Sequence, residues 1–202
     1  MAKSFSFSGI FSNQIKKNDI FLLVLLIASL ALNAYLGWNL KRLKSNSAEP
    51  QDSVKLSPGV TVQPITATSL SGKQETISYA DYGKPTVFYV FSPTCIWCDR
   101  NNQNINAIVS LKGASFRFIG LSLADNGLQE YVESHHLSFP VFKDLTPESI
   151  QMLGLGATPH TIVISPDGHV LKNWVGAYDK SVHSQVEEFF NVRLPGLTAQ
   201  QK

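Results

Sequence analysis

The sequence predicts an α/β domain with helices on both faces of a mixed sheet, preceded by one apolar helix near the N-terminus. Three observations point there. Strand-like and helix-like segments alternate from about residue 60 to residue 194. The run "PTVFYVF" (85–91) is continuously apolar, β-branched and aromatic, the mark of a strand buried on both faces. The run "IFLLVLLIASLALNAYLGW", Ile20 to Trp38, contains no charged residue.

At about 1.5 Å per residue, a helix of that length spans roughly the hydrocarbon core of a bilayer. Tyr35 and Trp38 sit at one end, where amphipathic rings favour the interface. The rival reading is a cleaved signal peptide. The run is longer than a usual signal core, and "SNSA" (45–48) is a weak processing site. The expected organisation is a short cytoplasmic N-terminus (1–19), a transmembrane anchor (20–38), a flexible linker (39–59), a folded domain (60–194) and a tail (195–202). The linker "KRLKSNSAEPQDSVKLSPG" (41–59) is polar and rich in Ser and Pro. Lys16 and Lys17 flank one side of the anchor and Lys41, Arg42 and Lys44 the other, so charge does not fix its direction.

The folded part reads in order. "VTVQPITATSLSGKQETISYADYG" gives two short strands around Ser71-Gly72-Lys73. The buried strand 85–91 leads into the two cysteines. Ile105, Ile108 and Val109 then recur at helical spacing, with Gly113 as a stop. "SFRFIGLSL" is a strand. Leu128, Tyr131 and Val132 mark a helix opened by Asp125 or Asn126. "FPVFKD" is a short strand, and "TPESIQML" a short helix with Thr146 as cap and Pro147 in its first turn. "HTIVIS" and "HVLKNWVG" are strands joined at Pro166-Asp167-Gly168. Val182, Val186, Phe189 and Phe190 mark a closing helix. The polar run Asn101, Asn102, Gln103, Asn104, Asn106 is a poor helix start and is expected to face solvent. Trp174 is expected to pack in the core or at an edge. His135 is expected to be packed and hydrogen-bonded, and His136 to face solvent.

The net charge of +2 over 202 residues suggests neither nucleic-acid binding nor an acidic partner. Cys95 and Cys98 in "FSPTCIWCDR" are the only cysteines, so the chain is not a disulfide-framework scaffold. The pair falls where a buried strand ends and a helix begins. Free N–H groups and the helix dipole there stabilise a thiolate on Cys95, and Cys98, one turn on, can close a disulfide.

"GKPTVFYVFSPTCIWC", "FPVFKD" and "GATPHTIVISPDGHVLKNWVG" together resemble the thioredoxin-like proteins of the TlpA/ResA/redoxin type. The resemblance covers about 60–194. It implies a thioredoxin-like fold and a membrane-tethered thiol–disulfide oxidoreductase, anchored in the bacterial inner membrane with its domain facing the periplasm or cell exterior. Cys95 would attack and Cys98 resolve, with protein thiols and disulfides as partners, no nucleic acid, and no cofactor or metal beyond the disulfide itself. Pro159 would be the family's cis-proline, preceded by Thr158, whose backbone pairs with an extended substrate segment. Ile96 and Trp97, between the cysteines, would contact the same segment.

This chain departs from the family at three places. Asn101 stands where many members have a glutamate, and an amide cannot titrate. Thr94 precedes Cys95 where tryptophan is common, and Trp97 stands where proline is common. Thr94, Asn101 and His160, the neighbour of Pro159, are therefore candidate modulators of the pair. A c-type haem needs histidine after the second cysteine, and Asp99 is there. A structural zinc site needs four ligands. Two alternatives stay open: a Sco-like copper-delivery protein using His135, His136 or His160 as a distal ligand, and a thiol peroxidase of peroxiredoxin type, with Ser92 where threonine is usual.

The expected topology places 1–19 inside and the domain outside. A membrane-impermeant thiol reagent added to reduced intact cells should then label Cys95; labelling only after lysis overturns that orientation.

Overall fold

The computed structural model describes residues 17–46 and 56–199. They fall in two compact units, divided between Asp52 and Ser53.

The first unit is helix α1, Lys17–Asn46. Its stretch Ile20–Trp38 is long and apolar enough to cross a membrane, and none of it is buried by protein. The helix continues eight residues past Trp38, into the segment expected to be a linker. Residues 39–46 contain neither proline nor glycine, so nothing in the backbone stops it. The rest of that linker to residue 55, and the tail beyond 199, lie outside the described residues.

The second unit is built on one seven-stranded sheet: β1 (Ile65–Ser69), β2 (Gln74–Ile77), β3 (Thr86–Phe91), β4 (Arg117–Ser122), β5 (Val141–Lys143), β6 (His160–Ile164) and β7 (Val170–Val175). The strand order is β2-β1-β5-β4-β3-β6-β7. β3, β4 and β5 run parallel; β1 with β2 on one side, and β6 with β7 on the other, extend the sheet by antiparallel pairing. Every residue of β3 is buried, as its unbroken apolar run requires of a central strand. The helices are α2 (Ile96–Lys112), α3 (Leu128–Ser134), α4 (Pro147–Met152) and α5 (Lys180–Phe190), with a 3-10 turn at Ala80–Tyr82.

The alternation of β3 divides the core into two layers. Phe88 and Val90 join Ile162, Ile164 and the β1 and α4 side chains on one face. Val87, Tyr89 and Phe91 join Cys98, Ile105, Ile108, Trp174 and Phe190 on the other. Trp174 is buried, its ring 5.5 Å from Phe189 in edge contact.

Three local details differ from the sequence expectation. α3 is opened by Gly127 at φ 73°, not by Asp125 or Asn126. Asp125 instead takes the Lys143 ammonium at 2.7 Å, which withdraws its carboxylate from capping. The domain begins before residue 60: Leu56 is buried and the Gly59 N–H donates to the Val170 carbonyl at 2.8 Å. It also extends past 194, because the Gly196 N–H donates to Asn104 Oδ1 at 2.9 Å and the Thr198 N–H to the Arg100 carbonyl at 3.0 Å. Thr146 caps α4 as expected, accepting the Ser149 N–H at 3.2 Å.

Gly120, in the middle of β4, lets the α2-side layer close. A Cβ there would lie 2.9 Å from Val141 Cγ2 and 3.1 Å from both the Phe139 and Phe91 rings. Gly120→Ala should therefore overpack this layer and cost about 1–3 kcal/mol. The check is a lower denaturant midpoint at unchanged slope; an unaltered midpoint would show that the layer has slack.

Candidate functional site

β3 delivers the chain to the cysteines. Ser92 to Thr94 turn it, the Cys95 N–H donating to the Ser92 carbonyl at 3.0 Å, and Cys95 then serves as the N-cap of α2. Its backbone is extended, at φ −87° and ψ 106°, and its Sγ accepts the Cys98 N–H at 3.1 Å. A sulfur thus stands where serine or aspartate usually caps a helix, against otherwise unsatisfied N–H groups. Cys95 and Cys98 are joined as a disulfide, with Cα atoms 5.2 Å apart. Cys98 is 0 % exposed and packs in the layer beneath α2; Cys95 is only partly covered.

The residues around the pair divide by direction. Ile96 and Trp97 are exposed, at 46 % and 47 %, and form an apolar rim. Thr94 is exposed, its hydroxyl 3.2 Å from that of Ser92. The Thr158–Pro159 bond is cis. Val90 pairs with His160 in the antiparallel β3–β6 register, which sets Pro159 opposite Phe91, at the end of the sheet where the cysteine loop begins. Pro159 is buried and Thr158 partly exposed.

His160 points the other way. It shares the face of Val90, Ile162 and Ile164, opposite that of Cys98. There its Nε2 donates to Asn173 Oδ1, and Asn173 Nδ2 donates onward to the Leu56 carbonyl at 2.8 Å. The sequence places His160 beside Pro159, but strand alternation separates it from the sulfurs by the thickness of the sheet.

Asn101 also overturns an expectation, because it and Asn104 are fully buried rather than solvated. Cys98, Asn101, Ile105 and Ile108 form one helical stripe against the sheet. Asn101 Oδ1 accepts the Tyr178 N–H at 3.1 Å and the Asn104 amide at 3.0 Å. Tyr178 in turn bonds Thr161 at 2.7 Å. Among the described residues, Asn101 Nδ2 and the Tyr89 hydroxyl are buried without a partner in hydrogen-bond geometry, although the Asn101 side chain lies near enough to Tyr89 to favour its charged form slightly. Burial pushes the Tyr89 and Tyr178 hydroxyls upward, so both stay protonated at neutral pH.

Two further groups flank the motif, and sequence reasoning gave them no role. Asp99, directly after Cys98, accepts from His135 Nε2 at 2.7 Å. The His135 ring stacks on Tyr131 at 3.9 Å, and its carbonyl takes amide bonds from Asn102 and Asn106 at 3.0 and 2.9 Å. His135 lies just past the end of α3 and is packed and hydrogen-bonded, while His136 is exposed at φ 52°. On the other side, the Arg100 guanidinium lies 4.6 Å over the Trp97 ring. Extending the Ile105–Ile108 stripe backwards by one and two turns would have found Asn101 and Cys98. Nothing local signals Asp99, whose partner lies 36 residues away; for Arg100 only the helical spacing from Trp97 is local, and its hydrogen-bond partner lies 98 residues away. Among the described residues, no three His, Cys, Asp or Glu side chains cluster as metal ligands.

Burial holds the titration of His160 below the usual histidine range, and the Asn173 bond offsets this only in part. The unfolded chain therefore binds more protons, and stability rises with pH through this group. It is lost as pH falls below about 6.5 toward the lowered folded value. The wild-type minus His160→Gln difference in unfolding free energy should therefore fall between pH 8 and pH 5; a difference with no pH dependence would refute the assignment.

The AhpC/TSA family model matches residues 58–173. None of the curated proteins matches the chain. Among solved structures, the thioredoxin domain of a thiol-disulfide oxidoreductase from Bacteroides vulgatus matches at TM-score 0.54 and 19% identity, over 68% of this chain and 100% of that one. A protein assigned as the thiol:disulfide interchange protein DsbE from Chlorobium tepidum matches at TM-score 0.57 and 17% identity, over 68% and 96%. A secreted Mycobacterium tuberculosis disulfide oxidoreductase, homologous to E. coli DsbE, matches at TM-score 0.52 and 20% identity, over 62% and 93%. At these identities the likeness shows the thioredoxin-like fold.

Proposed function

Because the chain belongs to the AhpC/TSA family, we propose that its domain is a thiol–disulfide oxidoreductase that exchanges two electrons with partner proteins through Cys95 and Cys98. One observation supports this above the others: a disulfide whose first sulfur caps a helix and is partly open, while its second is sealed in the core.

The chemistry follows from that asymmetry. In the reduced protein, the Cys98 N–H and the positive end of the α2 dipole stabilise a thiolate on Cys95, and burial of Cys98 favours its neutral thiol. The Cys95 thiolate attacks one sulfur of a partner disulfide. A mixed disulfide forms and the partner's other sulfur leaves as a thiolate. Cys98 then gives up its proton and attacks Cys95 Sγ. The mixed disulfide breaks, the Cys95–Cys98 bond forms, and the partner departs with both sulfurs reduced. The oxidised pair runs the same steps backwards against a partner dithiol. No cofactor is required beyond the disulfide.

The exposed rim of Ile96 and Trp97, together with Thr158 at the end of β6, gives an extended partner segment an apolar surface beside Cys95. Stretch 20–38 of α1 is the anchor in this reading, and holds the domain at the outer face of a bacterial inner membrane.

Cys98→Ser should accumulate mixed disulfides with partner proteins, visible as reducible adducts on a non-reducing gel, because attack survives and resolution does not. Cys95→Ser should trap nothing. The opposite pattern reverses the roles of the two sulfurs. Trapping by neither variant, with tight Cu(I) binding by the reduced domain, would favour copper delivery.

A further inference from the structure

Arg100 is held more firmly than a surface arginine needs to be. Its Nε donates to the Thr198 carbonyl at 3.0 Å. Its own carbonyl receives the Thr198 N–H at 3.0 Å and the Thr198 hydroxyl at 3.3 Å. Two residues before Thr198, the Gly196 N–H is fixed by the buried Asn104 amide at 2.9 Å. Residues 196–198 therefore form a strap along α2, and the strap grips Arg100 at its backbone and at the inner nitrogen of its head. The outer face of the guanidinium lies over Trp97, 4.6 Å from the ring centroid.

This grip has a direction. Helical side chains lean toward the N-terminus of their helix, so a residue one turn after Trp97 reaches back over it. The charge of Arg100 is thereby carried toward the end of α2 that bears Cys95. The two terminal nitrogens have no ion pair among the described residues. The neighbouring carboxylate, Asp99, is engaged by His135, and Glu187 lies with His183 and Arg193. A planar fork, oriented from two sides and left without an acid, is half of a bidentate carboxylate site.

We propose that Arg100 is a specificity-determining residue, and that the preferred partners are protein disulfides with an aspartate or glutamate beside the cysteine that Cys95 attacks. The partner carboxylate pairs with the Arg100 terminal nitrogens while the flanking chain lies against Trp97 and Ile96. Thr198 is a positioning residue, which acts through Arg100. This deepens the oxidoreductase reading above and rests on it.

The test uses the reduced full-length protein and two peptides, each closed by one disulfide. They differ only in Asp or Asn beside the attacked cysteine. Each rate is divided by the rate of the same peptide with dithiothreitol, which removes intrinsic differences in reactivity. Wild-type protein is expected to favour the Asp peptide about tenfold, the size of one charge-assisted hydrogen bond, and to show it in KM rather than kcat. Arg100→Ala should bring the ratio to about one. Arg100→Lys, which keeps the charge and loses the fork, should fall between. Thr198→Pro, which removes the strap N–H, should lower the ratio with Arg100 intact. Because the ratio is taken within each variant, it does not depend on how much of that variant folds. A wild-type ratio near one, or a preference that survives Arg100→Ala, overturns the proposal. If wild-type protein exchanges with neither peptide while dithiothreitol reduces both, the oxidoreductase reading itself fails and the proposal falls with it.

Discussion

The seating of α2 on β3 is the constraint from which the rest of the site follows. β3 is buried on both faces, so the chain can leave the sheet only at its end, after Phe91. Cys98, Asn101, Ile105 and Ile108 then lie as one stripe on the layer that Val87, Tyr89 and Phe91 present. With the stripe fixed, the first turn of the helix has one azimuth. Cys98 must point inward, Cys95 must sit at the cap, and Ile96 and Trp97 must face out. Burial of a sulfur at position 98 and exposure at 96 and 97 are two results of a single packing decision.

Asparagine secures this helix along its length. An amide of this size can accept and donate without bringing a charge into the core. Asn101 reaches the backbone of Tyr178, Asn104 that of Gly196, and Asn102 and Asn106 both reach that of His135. Each of these segments is irregular where it is gripped, so its free backbone groups need partners that no strand provides. Among the described residues the arrangement is incomplete at two points, where Asn101 Nδ2 and Asn106 Oδ1 are buried without a partner in hydrogen-bond geometry, and a buried polar group in that condition costs about 1–3 kcal/mol.

The sheet, its order of elements and the placement of the cysteines could be read from the sequence because each depends on local pattern. An unbroken apolar run marks β3, a Pro-Asp-Gly turn marks the β6–β7 hairpin, and a threonine before proline marks α4. What could not be read depends on which distant segment comes to rest against a given residue. A run rich in asparagine looks solvated until the backbone it bonds is in place, so Asn101 and Asn104 were legible only as exposed. His160 failed for a different reason. Proximity in sequence to Pro159 is certain, yet the period of two in a strand sends the next side chain through the sheet. Asp125 shows a third cause, a good capping residue that a better electrostatic partner, Lys143, draws away.

The strap on α2 also bears on the order in which the domain is assembled. The bonds that hold Arg100 span 98 residues of chain, and those of Asn104 span 92. The entropy of closing such loops must be met before the contacts repay it, and contacts of this separation belong to the slow part of a folding reaction. They also cannot form until residue 198 has been synthesised. A growing chain can therefore close its cysteine pair, whose partners are three residues apart, while the surface around that pair is still unfinished. In a domain of this topology, redox competence and partner discrimination are acquired at different times.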